Sequence, residues 1–281
     1  MNDINENVIK AIHDAEYVLI GCGTELSIDS QLEKDDFAKE ILRPLNKYGI
    51  YTLDQFDEYI KNKEVKNWLE TILTKYFHNR YSDVKVYDKL YELLNGKEYF
   101  IITTNVDNLI FKSKLDSNKI VAPCGNDTLL QCENACTHDL WDGLSYINSV
   151  IEELDNINLL IKEGNWSKIE EFYPKCKTCN GKAVFNVKKE TETYIEEGYL
   201  SQWNVYLNWL MRTLNRNILM LELGENFDNP TVIRWAFEKN TFINNKAKLI
   251  RINKTFSQLT EEIKSKSMSI PMNASDFLKQ L

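Results

Sequence analysis

An α/β fold, with a parallel sheet covered by helices on both faces and a small cysteine-bearing module and a helical module inserted into it, is predicted by three observations. Four short apolar runs alternate with helical segments along the chain, and such alternation builds parallel sheets sandwiched between helix layers. Two cysteine pairs lie about forty residues apart in the middle of the chain, the pattern of a metal-fastened module. No internal repeat, low-complexity tract or flexible linker breaks the text, so the second module is expected to be inserted within the first rather than appended to it.

The elements follow in order. Residues 2 to 14 carry Ile4, Val8, Ile9 and Ile12 at helical spacing, an amphipathic stripe. They lead into EYVLIGCG, an apolar strand closing on two glycines. A strand followed by a tight glycine turn at the carboxyl edge of a parallel sheet is a common phosphate or dinucleotide position, although Gly-x-Gly is equally an ordinary strand-to-loop turn. From Asp35 to Leu94 the text is helical. Trp68, Leu69, Ile72, Leu73, Tyr76 and Phe77 keep three-to-four spacing there and are expected in the core. A second strand, EYFIITTNVD, ends in polar residues that would meet a ligand in the sheet crevice. Asn105 and Asp107 are also good cap residues and would serve equally to start the next helix. A helix from Trp203 to Leu214, a strand in NILMLELGENFDNP and a last strand in KLIRIN complete the pattern.

Composition narrows the function classes. The 281 residues, 43% hydrophobic, suffice for a substantial core. A formal charge of -8 argues against a nucleic-acid partner, which requires a basic patch. The first residues are polar and acidic and no long apolar run occurs, so neither a signal peptide nor a membrane span is expected and the location is expected to be cytoplasmic. In a reducing compartment six cysteines serve as metal ligands or free thiols more readily than as disulfides. Cys132 and Cys136, spaced x3, and Cys176 and Cys179, spaced x2, are expected to close one structural zinc site, with Asn180-Gly181 turning the chain after the last ligand. Such a site has no open position for catalysis. Cys22 and Cys124 are left over at strand ends.

The order of these features resembles the sirtuins. The stretches that carry the likeness are NRY at 79 to 81, KEYFIITTNVD, CGNDTLLQCENAC, YPKCKTCNGKAVFNVKKE and LELGENFDNPTVIRWAFE. The likeness spans nearly the whole chain, is dense from Asn79 onward, and is nearest to the microbial branch associated with macrodomains and protein ADP-ribosylation. It implies a Rossmann-like NAD domain from segments 1–34, 79–130 and 183–281, a helical module at 35–78 and a zinc module at 131–182, with NAD in the crevice between. On the matching positions, Gly21 and Gly23 would let backbone approach the NAD diphosphate. Asn105 and Asp107 would face the nicotinamide ribose, and Gly224 and Asn253 the adenosine half. Cys22, Thr104 and Glu225 would line the same cofactor site.

The departures bear on the reaction. Most sirtuins have His-Gly where this chain has Cys124-Gly125, and the macrodomain-linked branch usually has Gln-Gly; the histidines at 13, 78 and 138 lie elsewhere. A general base of that kind is worth roughly 10²- to 10⁴-fold, so ordinary deacylation is disfavoured. Glu25 stands beside the glycine turn, Glu225 stands where the branch usually carries Val, and Asn108 replaces a frequent His. Three readings of Cys124 stay open: a neutral pocket wall in an enzyme that transfers ADP-ribose from NAD to a protein, with Asp107 stabilising positive charge and Asn105 orienting the ribose or amide; a nucleophile or redox sensor; or a remnant in a fold kept as a scaffold.

Overall fold

The computed structural model describes residues 2–281. The strands, in chain order, are β1 (Tyr17–Cys22), β2 (Glu98–Thr103), β3 (Ile120–Val121), β4 (Gly125–Cys132), β5 (Trp141–Asp142), β6 (Ala183–Val187), β7 (Ile218–Leu223), β8 (Lys248–Ile252) and β9 (Ser267–Ile270). The chain divides into two compact units. The first comprises the segment through Gln31 together with Ser82–Gly125 and Tyr199–Leu281; the second comprises Leu32–Tyr81 and Asn126–Gly198.

The first unit is built on a six-stranded sheet in the order β3-β2-β1-β7-β8-β9, and every neighbouring pair runs parallel. Helices lie on both faces. β7 is buried along its whole length and β1 and β2 along all but their first residue, which is why these strands are written as continuous apolar runs rather than alternating ones. One face packs Leu19, Phe100, Ile102, Met220 and Leu249 against Tyr206 and Trp209 of the helix Leu200–Arg212 and Phe237 of the helix Arg234–Ile243. Gly21 continues that face two residues after Leu19. A Cβ there would lie 2.4 Å from Ile233 Cγ2 and 3.1 Å from the Phe237 ring, so the glycine admits the helix to close contact with the sheet.

Two charged residues in these apolar strands pair with each other. Register sets Glu222 of β7 opposite Arg251 of β8. Arg251, fully buried, donates from Nε and Nη2 to the two Glu222 carboxylate oxygens at 2.8 Å each and from Nη1 to Glu238 at 2.8 Å. A bidentate pair of this kind satisfies charges whose burial alone would be prohibitive.

The second unit joins the helical segment to the cysteine-bearing one. Its three-stranded sheet runs β5-β4-β6. The stretch expected to be helical from 35 to 94 is broken into the helices Lys34–Leu42, Leu53–Tyr59 and Lys63–Arg80 in this unit and Lys85–Leu93 in the first. The breaks follow local rules: Gly49 turns with φ 81°, Thr52 and Gln55 form a capping box, and Asn62 caps Lys63–Arg80 by accepting from the Glu64 and Val65 amides. Of the expected core residues on that helix, Leu69, Ile72, Leu73 and Phe77 are buried. Trp68 and Tyr76 are only half-buried, a correction to the expectation from spacing. The same helix buries Lys75, whose ammonium donates to Asp127 at 2.7 Å and Glu190 at 2.8 Å, while His78 Nδ1 lies 2.6 Å from the other Asp127 oxygen.

Candidate functional site

Strand register gathers the ends of four strands at one level. Cys22 lies opposite Thr103 on one side and Leu223 on the other, and Leu223 lies opposite Ile252. The next residues, Gly23, Thr104, Gly224 and Asn253, therefore line one edge of the sheet. The chain builds outward from β1 in both directions, through β2 on one side and β7 on the other, so this edge is the switch point of an open α/β sheet, the usual ligand position of such folds.

A continuous set of hydrogen bonds ties the loops together. Gly23 N donates to Leu223 O at 2.8 Å, Thr104 N to Cys22 O at 3.1 Å and Gly224 N to Ile252 O at 2.8 Å. Asn105 Nδ2 donates to Gly23 O at 2.9 Å, and Asn253 Nδ2 to Glu225 O at 2.7 Å. The turns are in close contact: a Cβ on Gly23 would lie 2.4 Å from Glu225 Cα, and one on Gly224 would lie 2.4 Å from Glu25 Cβ. Gly224 also takes φ 67°, which favours glycine in its own right. The space a side chain would need at Gly23 and Gly224 is thus filled by the neighbouring loop.

Asp107 performs the capping that its local sequence allows. Its carboxylate accepts from Leu109 N at 3.0 Å and from Ile28 N, far away in sequence, at 2.8 Å. It thereby ties the segment after β2 to the segment after the glycine turn. Asn108 adopts φ 59°, a left-handed conformation that Asn tolerates better than His or most other residues.

The two glutamates near the turn behave differently. Glu25 accepts from the backbone amides of Lys254 at 2.9 Å and Ala274 at 2.7 Å, so its carboxylate caps the helix Ala274–Lys279. Glu225 is fully buried, with Oε2 accepting from the Thr104 hydroxyl at 2.7 Å and Oε1 without a hydrogen-bond partner. Burial, reinforced by the nearby Glu222 and Asp228 and opposed by Thr104 and Arg234, pushes its carboxyl up to about 8. Sequence reasoning placed Glu225 at the site but had no means of pairing it with Thr104. Cys22 is equally enclosed, and burial, then the Glu225 charge, holds its thiol far above the ordinary range, which keeps it protonated and unreactive.

Cys124 is 3% exposed and follows β3, with the strands β2 and β1 lying between β3 and β7. Of the other sequence-derived positions, Gly21 lies one residue inside β1, against the helix Arg234–Ile243.

Solved structures of Sir2 enzymes share this architecture across the chain. A Sir2 structure described for mechanism and regulation aligns over 100% of this chain and 96% of its own at 14% identity and a TM-score of 0.57. The chain has the sirtuin fold. A mutant Sir2 homologue in complex with 2'-O-acetyl-ADP-ribose covers 98% of this chain and 94% of its own at 14% identity and a TM-score of 0.58. A Sir2 homologue in complex with NAD covers 98% and 91% at 14% identity and a TM-score of 0.53. No protein-family model matches the sequence. Among curated proteins, a protein ADP-ribosyltransferase of Staphylococcus aureus is 22% identical over 274 residues, 95% of this chain and 84% of that protein. A probable bifunctional ADP-ribose hydrolase/ADP-ribosyltransferase of Fusarium oxysporum is 24% identical over 253 residues, 86% of this chain but 41% of that protein.

In this sirtuin-fold chain the cysteine pairs converge as their spacing predicts. The Sγ atoms of Cys132, Cys136, Cys176 and Cys179 all lie within 4.8 Å of one another. Cys132 and Cys179 are 3.8 Å apart and Cys136 and Cys176 3.6 Å, close to the sulfur separation of about 3.8 Å that a tetrahedral ion with ~2.3 Å Zn–S bonds requires. The amides of Thr178 and Gly181 donate to the sulfurs of Cys176 and Cys179 at 3.4 Å each, which favours thiolates there. The donor set and its spacing suit one structural zinc. Among the described residues no helix is long and apolar enough to cross a membrane.

Proposed function

We propose that the chain is an NAD-dependent protein-modifying enzyme that transfers ADP-ribose from NAD to a protein side chain and releases nicotinamide. One observation carries the reading: the loops bearing Gly23, Asn105, Gly224 and Asn253 meet at the switch point of a sirtuin-fold sheet. The similarity of 95% of the chain to a protein ADP-ribosyltransferase supports the choice of reaction. NAD supplies the ADP-ribosyl group, attached through a glycosidic bond whose cleavage leaves positive charge on the ribose. On this reading the turns after β1 and β7 bear on its diphosphate and adenosine halves, with Cys22, Thr104 and Glu225 completing the lining, while Gly21, expected beside the diphosphate, instead packs against Ile233 and Phe237.

Asn105 and Asp107 take the ribose side. Asp107, 5% exposed and fixed by two backbone amides, supplies negative charge to a cationic transition state without having to reorganise. Asn105, fixed to Gly23 O, orients the ribose or the amide. Transfer to a nucleophile already present on the acceptor dispenses with a histidine base, so Cys124 acts as a neutral wall. That role suits its burial.

A second reading, a sirtuin fold retained as a binding scaffold, draws on Glu225. Its buried carboxylate and its backbone occupy the space beside Gly23, where a charged form would repel a diphosphate. Calorimetric titration with NAD and with ADP-ribose separates the two readings. Binding of either, together with nicotinamide release and labelling of an acceptor that disappear in Asn105→Ala, is expected for the enzyme. No heat with either ligand at millimolar concentration sinks the transferase and leaves the scaffold.

A further inference from the structure

The second unit holds a cavity of about 470 Å³ that the reading above does not use. Its walls include Trp68, Tyr146, Tyr173 and Phe185, and Glu64 and Glu190 stand at its margin. The volume is in the range of small-ligand sites. We propose that this cavity binds an alkylated ammonium group, such as the head of a methylated lysine side chain or of a free quaternary amine.

The ring arrangement comes first. The Trp68 and Tyr173 centroids are 5.0 Å apart at 42°, and those of Tyr146 and Phe185 are 6.3 Å apart at 46°. Two of the polar ends are spent on the protein: Trp68 Nε1 donates to the Tyr146 hydroxyl at 2.8 Å, and that hydroxyl donates to Phe172 O at 3.0 Å; the Tyr173 hydroxyl is buried without a hydrogen-bond partner. What remains for a ligand is the Tyr173 hydroxyl and ring surface, whose negative quadrupole attracts a cation. The protein already uses one of these rings in that way, since the Lys75 ammonium sits 4.6 Å from the Phe185 centroid.

Charge at the margin has the same sign preference. Glu64 is exposed and its carboxylate has no ion-pair partner among the described residues, and Glu190 engages Lys75 through one oxygen. Lys182 on the lining is paired with Glu133 at 3.0 Å, and Lys75, whose ammonium lies against Phe185, is paired with Asp127 and Glu190. A neutral apolar guest would gain nothing from these carboxylates. An ammonium too heavily methylated to be strongly hydrated gains from both carboxylates and rings.

The wall is also held in place. Tyr173 and Pro174 precede Cys176, Lys182 and Ala183 follow Cys179, and Ala183 N donates to Pro174 O at 2.9 Å. The cysteine module thus clamps one side of the cavity, while the helix Lys63–Arg80 supplies the other through Glu64, Trp68 and Thr71.

The test uses the zinc-loaded full chain and calorimetric titration with three probes: a trimethyllysine peptide, choline, and 3,3-dimethylbutanol, the uncharged carbon isostere of choline. Choline is expected to bind several-fold to about 30-fold more tightly than the isostere, the range of cation–ring attraction. Glu64→Gln, an exposed change that leaves the helix cap intact, is expected to weaken choline several-fold and the isostere not at all. A peptide preferred over choline assigns the ligand to a protein side chain, and the reverse assigns it to a free amine. Equal binding of choline and its isostere, or no binding of either cation at millimolar concentration, overturns the proposal.

Discussion

Replacing Glu225 by Gln keeps the shape of the side chain and removes its ability to ionise. In the wild-type fold the carboxyl is fully buried, one oxygen receives the Thr104 hydroxyl and the other has no partner, so the charged form is poorly solvated. Burial pushes the group up to about 8, against 4.5 for the ordinary value. A carboxyl raised on folding contributes its full stability below the unfolded value, and that contribution is lost as pH rises through the folded one. The penalty in the wild type is therefore under about 1 kcal/mol at pH 5 and approaches about 5 kcal/mol at pH 9, from ~1.36 kcal/mol per unit of difference. Gln carries no such penalty. Urea unfolding of both proteins at pH 5 and pH 9 is the assay, because titrations of groups that do not interact with Glu225 cancel in the double difference. The expected result is a variant close to wild type at pH 5 and more stable by several kcal/mol at pH 9. A wild-type minus variant difference that does not change between the two pH values would refute a buried carboxyl forced to ionise. On the transferase reading, NAD affinity should also fall from pH 7 to pH 9 in the wild type and stay level in the variant.

Three further outcomes are expected. Purified protein should carry about one zinc per chain, and Cys176→Ser or a chelator should lower the melting temperature, because a structural metal contributes to folding directly; metal content far below one with the fold intact removes the zinc assignment. Asp127→Asn should cost about 3 kcal/mol or more, since it leaves the buried Lys75 and His78 short of their shared partner. Burial works against the Asp127 charge but Lys75 and His78 outweigh it and hold the carboxyl below its ordinary value. Its contribution is thus present at neutral pH and fades under acid, so wild type and variant should converge as pH falls below about 4. Gly21→Ala should destabilise by about 1 to 3 kcal/mol through overpacking against Ile233, 2.4 Å from the added carbon; an unchanged unfolding midpoint would show that the helix Arg234–Ile243 can retreat at no cost.

Much of the fold is legible in the amino-acid text because burial on both faces of a parallel strand demands apolar residues without interruption. The runs at Tyr17, Glu98, Ile218 and Lys248 declare themselves as strands, and the glycines and Asn after them declare where they stop. The cysteine module is legible for a similar reason: chelation imposes short spacings that a local pattern can display, and the four sulfurs do meet. Trp68 and Tyr76 fit the apolar helical period yet remain half-buried, since periodicity reports the direction of a side chain and not how much protein lies beyond it.

Tertiary structure alone chose the partners of the polar residues. Glu225 meets Thr104 across 121 positions, Glu25 meets Ala274 across 249, and Lys75 meets Asp127 across 52. Hydrophobic patterning is a one-body property, set residue by residue through backbone geometry and burial. A buried charge is a two-body problem, and its solution depends on strand register and loop packing that bring distant segments within about 3 Å of each other. For that reason the sequence could announce an acidic residue beside a glycine turn, while only the folded chain turns Glu25 into a helix cap and encloses Glu225 as a desolvated carboxyl with one oxygen unpartnered.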